Sequence, residues 1–244
     1  MWIFPLAAAA ISLVFAAMLI VRFLRKRDAA LGLWAVALLM YAVASFAMFL
    51  GALSNWTSGE FRLYWMFGAA LTVPYLAQGE LYLLLRQRWI ADVVLLALVL
   101  GTGFAVAKIQ SAPVHTGPLR DQLPLGRDVF GGGSEAHRLP QLYSIPAYVV
   151  LVAGALWSAW RMRSVPSLRD RARGTFGIAV GATIVAVGSG IGAGYGVVAL
   201  FSISLTAGVA MMFWGFLRAS RPSARPPIAP APSVPAPGPP PAPP

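Results

Sequence analysis

The sequence predicts an all-α, polytopic membrane helix bundle of seven transmembrane helices, with the N-terminus outside and the C-terminus inside. Three observations carry this: long apolar stretches, their spacing, and the side on which each is closed by arginine. A bilayer core about 30 Å thick takes roughly 20 apolar residues of helix to cross, and such segments fall at 4–24, 30–52, 63–85, 89–108, 143–160, 174–192 and 196–217. Lipid offers backbone groups no partners, so runs this long read as helices. At 58% hydrophobic and 11% charged, the chain has too few polar side chains to cover these helices in water.

The first segment has its charges after its apolar run, the reverse of a cleavable secretory signal, so it is expected to remain as helix one. Its clip of Arg22, Arg25, Lys26 and Arg27 lies on one side. The same side receives Arg86 and Arg88 between segments three and four, Arg161, Arg163, Arg169, Arg171 and Arg173 between five and six, and Arg218, Arg221 and Arg225 after seven. Only Arg62, Lys108, Arg120, Arg127 and Arg138 of the 19 basic residues remain for the other side. Basic residues beside helix ends stay in the cytoplasm, which gives N-out and C-in. The net charge of +11 is thereby explained by topology, not by a nucleic-acid-binding stripe, and no nucleic-acid partner is expected.

Segments four and five are separated by residues 109–142, rich in proline, glycine and charge, which reads as an outer loop with little regular structure. The transmembrane domain is expected to span 1–219. Residues 220–244 form a Pro/Ala-rich cytoplasmic tail, expected to be disordered with polyproline II character and carrying no assigned docking role. Neither end carries a recognisable soluble catalytic domain.

Glu80 is the most informative single residue. It lies six residues before Arg86, about 9 Å inside the inner boundary at 1.5 Å per residue. An acid within a membrane segment faces the protein interior and is paired or functional. Its two readings are a proton, cation or ligand site, and a structural contact to a neighbouring helix or inner-side arginine; the second is favoured. Tyr64, Gly68, Leu71, Tyr75, Gln78 and Tyr82 step by three and four along the same segment, one face of an ideal helix. Tyrosine and glutamine tips need hydrogen-bond partners, so this stripe is expected to face the bundle, as polar packing or as the wall of a ligand cavity. Tyr64 and Tyr82 also suit interface anchoring, as do Trp56 and Trp65. Pro74, mid-segment, removes one backbone hydrogen bond and is a hinge candidate.

In segments six and seven, Gly177 and Gly181 fit the small-xxx-small pattern for close helix packing. The run Gly188, Gly190, Gly192, Gly194 and Gly196 suits close packing followed by a tight turn; it fits no dinucleotide-binding fingerprint. Asp92, four residues after Arg88, reads as its ion-pair partner. His115 and His137 share the loop with Asp121, Asp128 and Glu135 in no defined metal-ligand spacing, so no metal and no cofactor is expected. The chain has no cysteine, which removes thiolate chemistry and disulfides. Asn55, Trp56 and Thr57 form a formal glycosylation sequon.

The stretches Tyr64-Trp65-Met66-Phe67-Gly68, Val73-Pro74-Tyr75-Leu76 and Gly79-Glu80-Leu81-Tyr82-Leu83-Leu84 resemble uncharacterised seven-helix membrane proteins of actinobacterial type. The plan of helices one to four is also similar to the membrane sensor region of bacterial seven-helix histidine kinases. The kinase portion is absent, so phosphotransfer does not carry over, and segment seven has no lysine for a retinal Schiff base. The resemblance, with arginine used almost throughout in place of lysine, points to a multi-pass protein of a bacterial plasma membrane. The favoured activity is a non-enzymatic sensor or accessory membrane protein with a small intramembrane polar site. Its expected partners are the lipid bilayer and either another membrane protein or a small-molecule ligand. The alternatives are a small-solute or proton-coupled transporter and an intramembrane lipid-modifying enzyme, the last lacking any visible partner for Glu80 in acid–base work.

Overall fold

A computed structural model describes residues 3–194 and 197–220, the side chains of 192–194 excepted. The expectation of a disordered tail falls almost wholly outside the described residues. Those residues are mostly helical and hold no β-strand. Six helices are long and apolar enough to cross a membrane: α1 (Ile3–Lys26), α2 (Ala29–Ser54), α5 (Arg88–Ser111), α7 (Glu135–Met162), α8 (Arg169–Gly194) and α9 (Val198–Ala219). The expected third span, 63–85, is a composite rod. It begins as α3 (Ser58–Leu63), passes through a π-helical stretch (Tyr64–Leu71) and continues as α4 (Thr72–Leu84).

Local chemistry sets the turns. Arg27 takes positive φ, and the Asp28 carboxylate then caps α2 by accepting from Ala30 N at 3.1 Å. Thr57 and Glu60 form a reciprocal capping box that starts α3, so the Thr57 hydroxyl of the sequon is engaged in the cap. Ser134 caps α7 by accepting from His137 N at 3.2 Å.

The loop is shorter and more ordered than residues 109–142 suggest, because α5 runs to Ser111 and α7 starts at Glu135. Between them lie a 3₁₀ turn (Gly117–Arg120) and α6 (Gly126–Val129). Leu119, Leu123, Val129 and Phe130 are buried under this cap, and Trp56 N donates to Leu119 O at 3.2 Å. Trp56 is itself only 5% exposed, so it is a core residue and not an interface anchor. Pro140, which falls in the expected loop, and Pro146, within the expected fifth segment, both lie inside α7. The carbonyl that Pro140 cannot serve, that of Ala136 four residues earlier, instead accepts the Trp65 indole N–H at 2.8 Å. A donor from another helix thus removes the cost that makes proline a breaker.

Helices α8 and α9 approach most closely. A methyl placed on Gly181 would lie 2.6 Å from Gly208 O and 2.8 Å from Met212 N, and one on Gly177 would lie 3.0 Å from the Trp214 ring. At Gly181 only hydrogen is admitted, while at Gly177 the Trp214 ring would have to give way. The glycine-rich run expected to turn is helical as far as Gly194, with Gly188 buried against Ser204; Tyr195 and Gly196 lie outside the described residues. Helices α1 and α9 close the bundle through Phe15, whose ring sits 5.1 Å from Phe213 and 5.0 Å from Phe216. At the arginine-rich end Arg22 lies over Phe216 and donates to Ser220 Oγ. Helix α5 stands at the periphery, with Leu96, Leu100 and Phe104 among its exposed residues.

Candidate functional site

The π stretch decides where the polar stripe points. Its hydrogen bonds run from residue i to i−5, as when Thr72 N donates to Phe67 O, and the wider turn rotates the upper half of the rod away from an ideal 3.6-residue register. Thr72 Oγ1 also donates to Phe67 O, at 2.7 Å. The stripe therefore divides. Tyr75, Gln78 and Tyr82 face α5: Tyr75 Oη lies 3.2 Å from Thr102 Oγ1, Gln78 Nε2 donates to Ala91 O at 2.7 Å, and Tyr82 Oη donates to Asp92 Oδ1 at 2.5 Å. Tyr64 faces the other way, against Trp56, Phe61 and Phe201. It is buried, not an interface anchor. Asp92 is bonded to Tyr82, and among the described residues no ion pair joins it to Arg88.

Pro74 leaves the Ala70 carbonyl, four residues back, without its N–H. Ser144 Oγ of α7 supplies the replacement, donating to Ala69 O at 2.6 Å and reaching Ala70 O at 3.4 Å. With the Trp65 bond to Ala136 O, the two helices exchange donors: each sends a side-chain donor to the carbonyls beside the gap that the other's proline leaves.

Glu80 is 5% exposed and turns toward α7. A methyl on Gly154 would come within 2.9 Å of Glu80 Cγ, so the absence of a side chain at 154 makes the space for the carboxyl. Among the described residues no hydrogen bond or ion pair reaches that carboxyl, including from the arginines of the near end.

A cavity of about 420 Å³ lies elsewhere, in the half of the bundle beneath the loop, enclosed by α2, the π stretch and the start of α4, α7, α8 and α9. Of the predicted stripe, Tyr64 and Gly68 line it; Tyr75, Gln78 and Tyr82 do not, and neither does Glu80. Its polar groups are Tyr41, Ser45, Thr72, Gln141, Ser144, Tyr148 and Ser189 beside Tyr64, and no charged side chain or histidine among the described residues contributes to the wall. Several of these groups are already engaged: Tyr41 Oη donates to Leu205 O at 3.0 Å, and Tyr148 Oη to Thr183 Oγ1 at 3.1 Å. The hydroxyls of Ser45, 3% exposed, and Tyr64, 9% exposed, have no partner among the described residues. Unlike the hydroxyls of Ser12 and Ser202, they are not sealed by packing. They open onto the cavity.

Comparison with protein-family models, curated proteins and solved structures finds no match. Function must be read from this geometry.

Most of the cavity residues escaped the sequence reading. Tyr41 with Ser45, and Gln141 with Ser144 and Tyr148, recur at helical spacing on their own segments, the signal that picked out the Tyr64 stripe. Tyr41 and Ser45 lie in a helix that is apolar almost throughout, where the stripe is short, and Gln141 lies in a stretch read as loop. The histidines do not converge: His115 Nδ1 lies 3.0 Å from Val129 O, whereas His137 stacks on Trp65. Among the described residues no three of His, Asp and Glu gather into a metal-sized cluster.

Proposed function

We propose that this chain is a non-enzymatic, multi-pass membrane protein, a sensor or accessory subunit that reports on a small molecule held in the intramembrane cavity. The observation that carries the reading is the cavity: a volume within the about 300–1,000 Å³ of typical ligand sites, a largely apolar wall, and two buried hydroxyls without partners. A buried unpaired hydroxyl costs free energy, and a ligand would recover it. The wall holds no nucleophile beside a base and no pair of acids, which favours binding over turnover. Thermal-shift titration of the purified chain tests this, since a ligand that binds only the native state raises its melting temperature by mass action. Chemical conversion of a bound compound, or no stabilisation by any polar or apolar compound class, would overturn it.

In this proposal the composite rod, residues 58–84, is a seventh crossing, and the chain lies N-out and C-in in a bacterial plasma membrane. Support comes from the arginine-rich clips beside one set of helix ends. The cysteine-free sequence makes the test direct. A cysteine at Thr116 should react with an impermeant maleimide on intact cells, and one at Ser164 only after lysis; the reverse pattern would invert the topology.

A second reading, proton-coupled transport, is favoured by Glu80 alone, a buried carboxyl without a counter-charge among the described residues. Proteoliposomes bearing Glu80→Gln should then lose proton flux while retaining the fold. Absence of flux in the wild type removes this reading.

A further inference from the structure

The cavity has a mouth. Ile145 lines it and is yet 61% exposed, on a face of α7 shared with Leu142, 70% exposed, and Val149, 57% exposed. Across from it, Gly190 of α8 lines the cavity and is also exposed. Nearer the middle of the bundle the two helices are tied by the Tyr148–Thr183 hydrogen bond. The opening therefore lies between α7 and α8, where Leu142, Ile145 and Val149 present aliphatic side chains, which in a membrane-spanning chain is a surface for lipid. One polar side chain stands at the cavity's edge on that face, the exposed amide of Gln141, one turn from Ile145 toward the loop.

The wall selects by charge as well as by route. A carboxylate, phosphate or ammonium group inside would be stripped of water with no counter-charge to meet it, which disfavours it strongly. A hydrocarbon body is accepted throughout. The unpartnered Ser45 and Tyr64 hydroxyls stand on α2 and the π stretch, which come together where Ala44 Cβ would lie 3.1 Å from a methyl on Gly68. Tyr41, having given its proton to Leu205 O, keeps an oxygen able to accept. A second hollow, of about 440 Å³ between α7, α8 and α9, offers nothing comparable: its Thr183 and Ser204 hydroxyls both donate to carbonyls of their own helix.

Building on the binding function proposed above, we infer that the cavity takes an uncharged, single-tailed amphiphile from the bilayer, which passes between α7 and α8 and lodges a hydroxyl or carbonyl oxygen at Ser45 and Tyr64. The bilayer serves as the reservoir, and the hydroxyl pair supplies the polar recognition.

The test uses the full chain in lipid nanodiscs with three probes that share one tail: farnesol, its hydrocarbon counterpart farnesene, and farnesyl phosphate. Apparent affinities come from native mass spectrometry and thermal shift. Farnesol is expected to bind with one copy per chain and more tightly than either companion. Ser45→Ala with Tyr64→Phe should weaken farnesol by roughly 3- to 10-fold per lost hydrogen bond and leave farnesene unchanged, so farnesene binding doubles as the check on folding. Ile145→Trp, at an exposed position, should slow uptake from the bilayer without altering the melting temperature of the empty protein. Farnesyl phosphate binding as tightly as farnesol would overturn the charge selection. Farnesol insensitive to the double variant would overturn the hydroxyl anchor, and uptake unaffected by Ile145→Trp would overturn the route. If a water-soluble compound stabilises the protein and none of the three probes does, this inference falls while the broader binding function stands. If nothing of any class binds, both fall.

Discussion

Arg62 shows how a charge counted for topology can have a second task. Its guanidinium donates to the carbonyls of Ile109, Gln110 and Ala112, the first through an unusually close contact, and so closes the C-terminal end of α5, where carbonyls lack intrahelical partners. Arg62→Leu should cost about 1–3 kcal/mol, the range for stranding buried polar groups, and should expose the 112–134 segment to protease; unchanged melting and cleavage would show that water replaces the guanidinium. Gly154 makes a similar case by subtraction. Gly154→Ala places a methyl 2.9 Å from Glu80 Cγ and 2.5 Å from Leu84 Cδ1, and overpacking of this kind costs roughly 1–3 kcal/mol. Adding Glu80→Ala should recover part of that loss, and a double-mutant cycle without coupling would refute the contact. Glu80 was legible as an oddity from sequence because acids are rare in membrane segments. Its glycine neighbour 74 residues later was not, since a glycine in an apolar run gives no sign of what it makes room for.

At the scale of elements, the prediction of helices succeeded where apolar length alone decides, and faltered where proline and the π stretch intervene. Pro140 read as loop because a helix interior proline strands a carbonyl; Trp65, on another helix, resolves that from beyond the reach of local sequence. The Tyr64–Tyr82 stripe read as one face because a uniform 3.6-residue period was assumed, whereas eight residues of π-helix turn its first part toward the cavity. Two faces of one rod therefore differ, a cavity wall above and a helix contact below. The paired exchange of donors between the rod and α7 gives a direct test. Trp65→Phe and Ser144→Ala each remove one interhelical hydrogen bond, of about 0.6–2 kcal/mol in a membrane. Their effects should exceed those of exposed α7 substitutions such as Val149→Ala, read as the loss of melting temperature in detergent; equal effects would mean that the released carbonyls find other donors.

Across the whole molecule the six long apolar helices were legible, because membrane thickness imposes their length on the sequence. Their arrangement was not, and α5 shows why it matters. Lipid tails are as apolar as leucine, so no hydrophobic force presses α5 onto the bundle. Its attachments are polar: Tyr75 to Thr102, Gln78 to the Ala91 carbonyl, Tyr82 to Asp92, Tyr143 of α7 to the Gly101 carbonyl at 3.0 Å, and Arg62 to the carbonyls at its C-terminal end. The Lys108–Glu135 ion pair at the loop end adds little, being largely exposed. By contrast α8 and α9 hold each other through backbone approach along four glycine positions, which hydrogen-bond loss elsewhere leaves intact. Combining Tyr75→Phe, Gln78→Leu and Tyr82→Phe should therefore loosen one helix and not the bundle. Hydrogen–deuterium exchange should rise across residues 89–111 while 174–190 and 200–216 keep their protection, because local opening draws only on the contacts that hold that element. Uniform acceleration along the chain would mean that α5 is integral to the global fold; no change at all would mean that van der Waals packing, and not the tyrosine–glutamine stripe, fastens it.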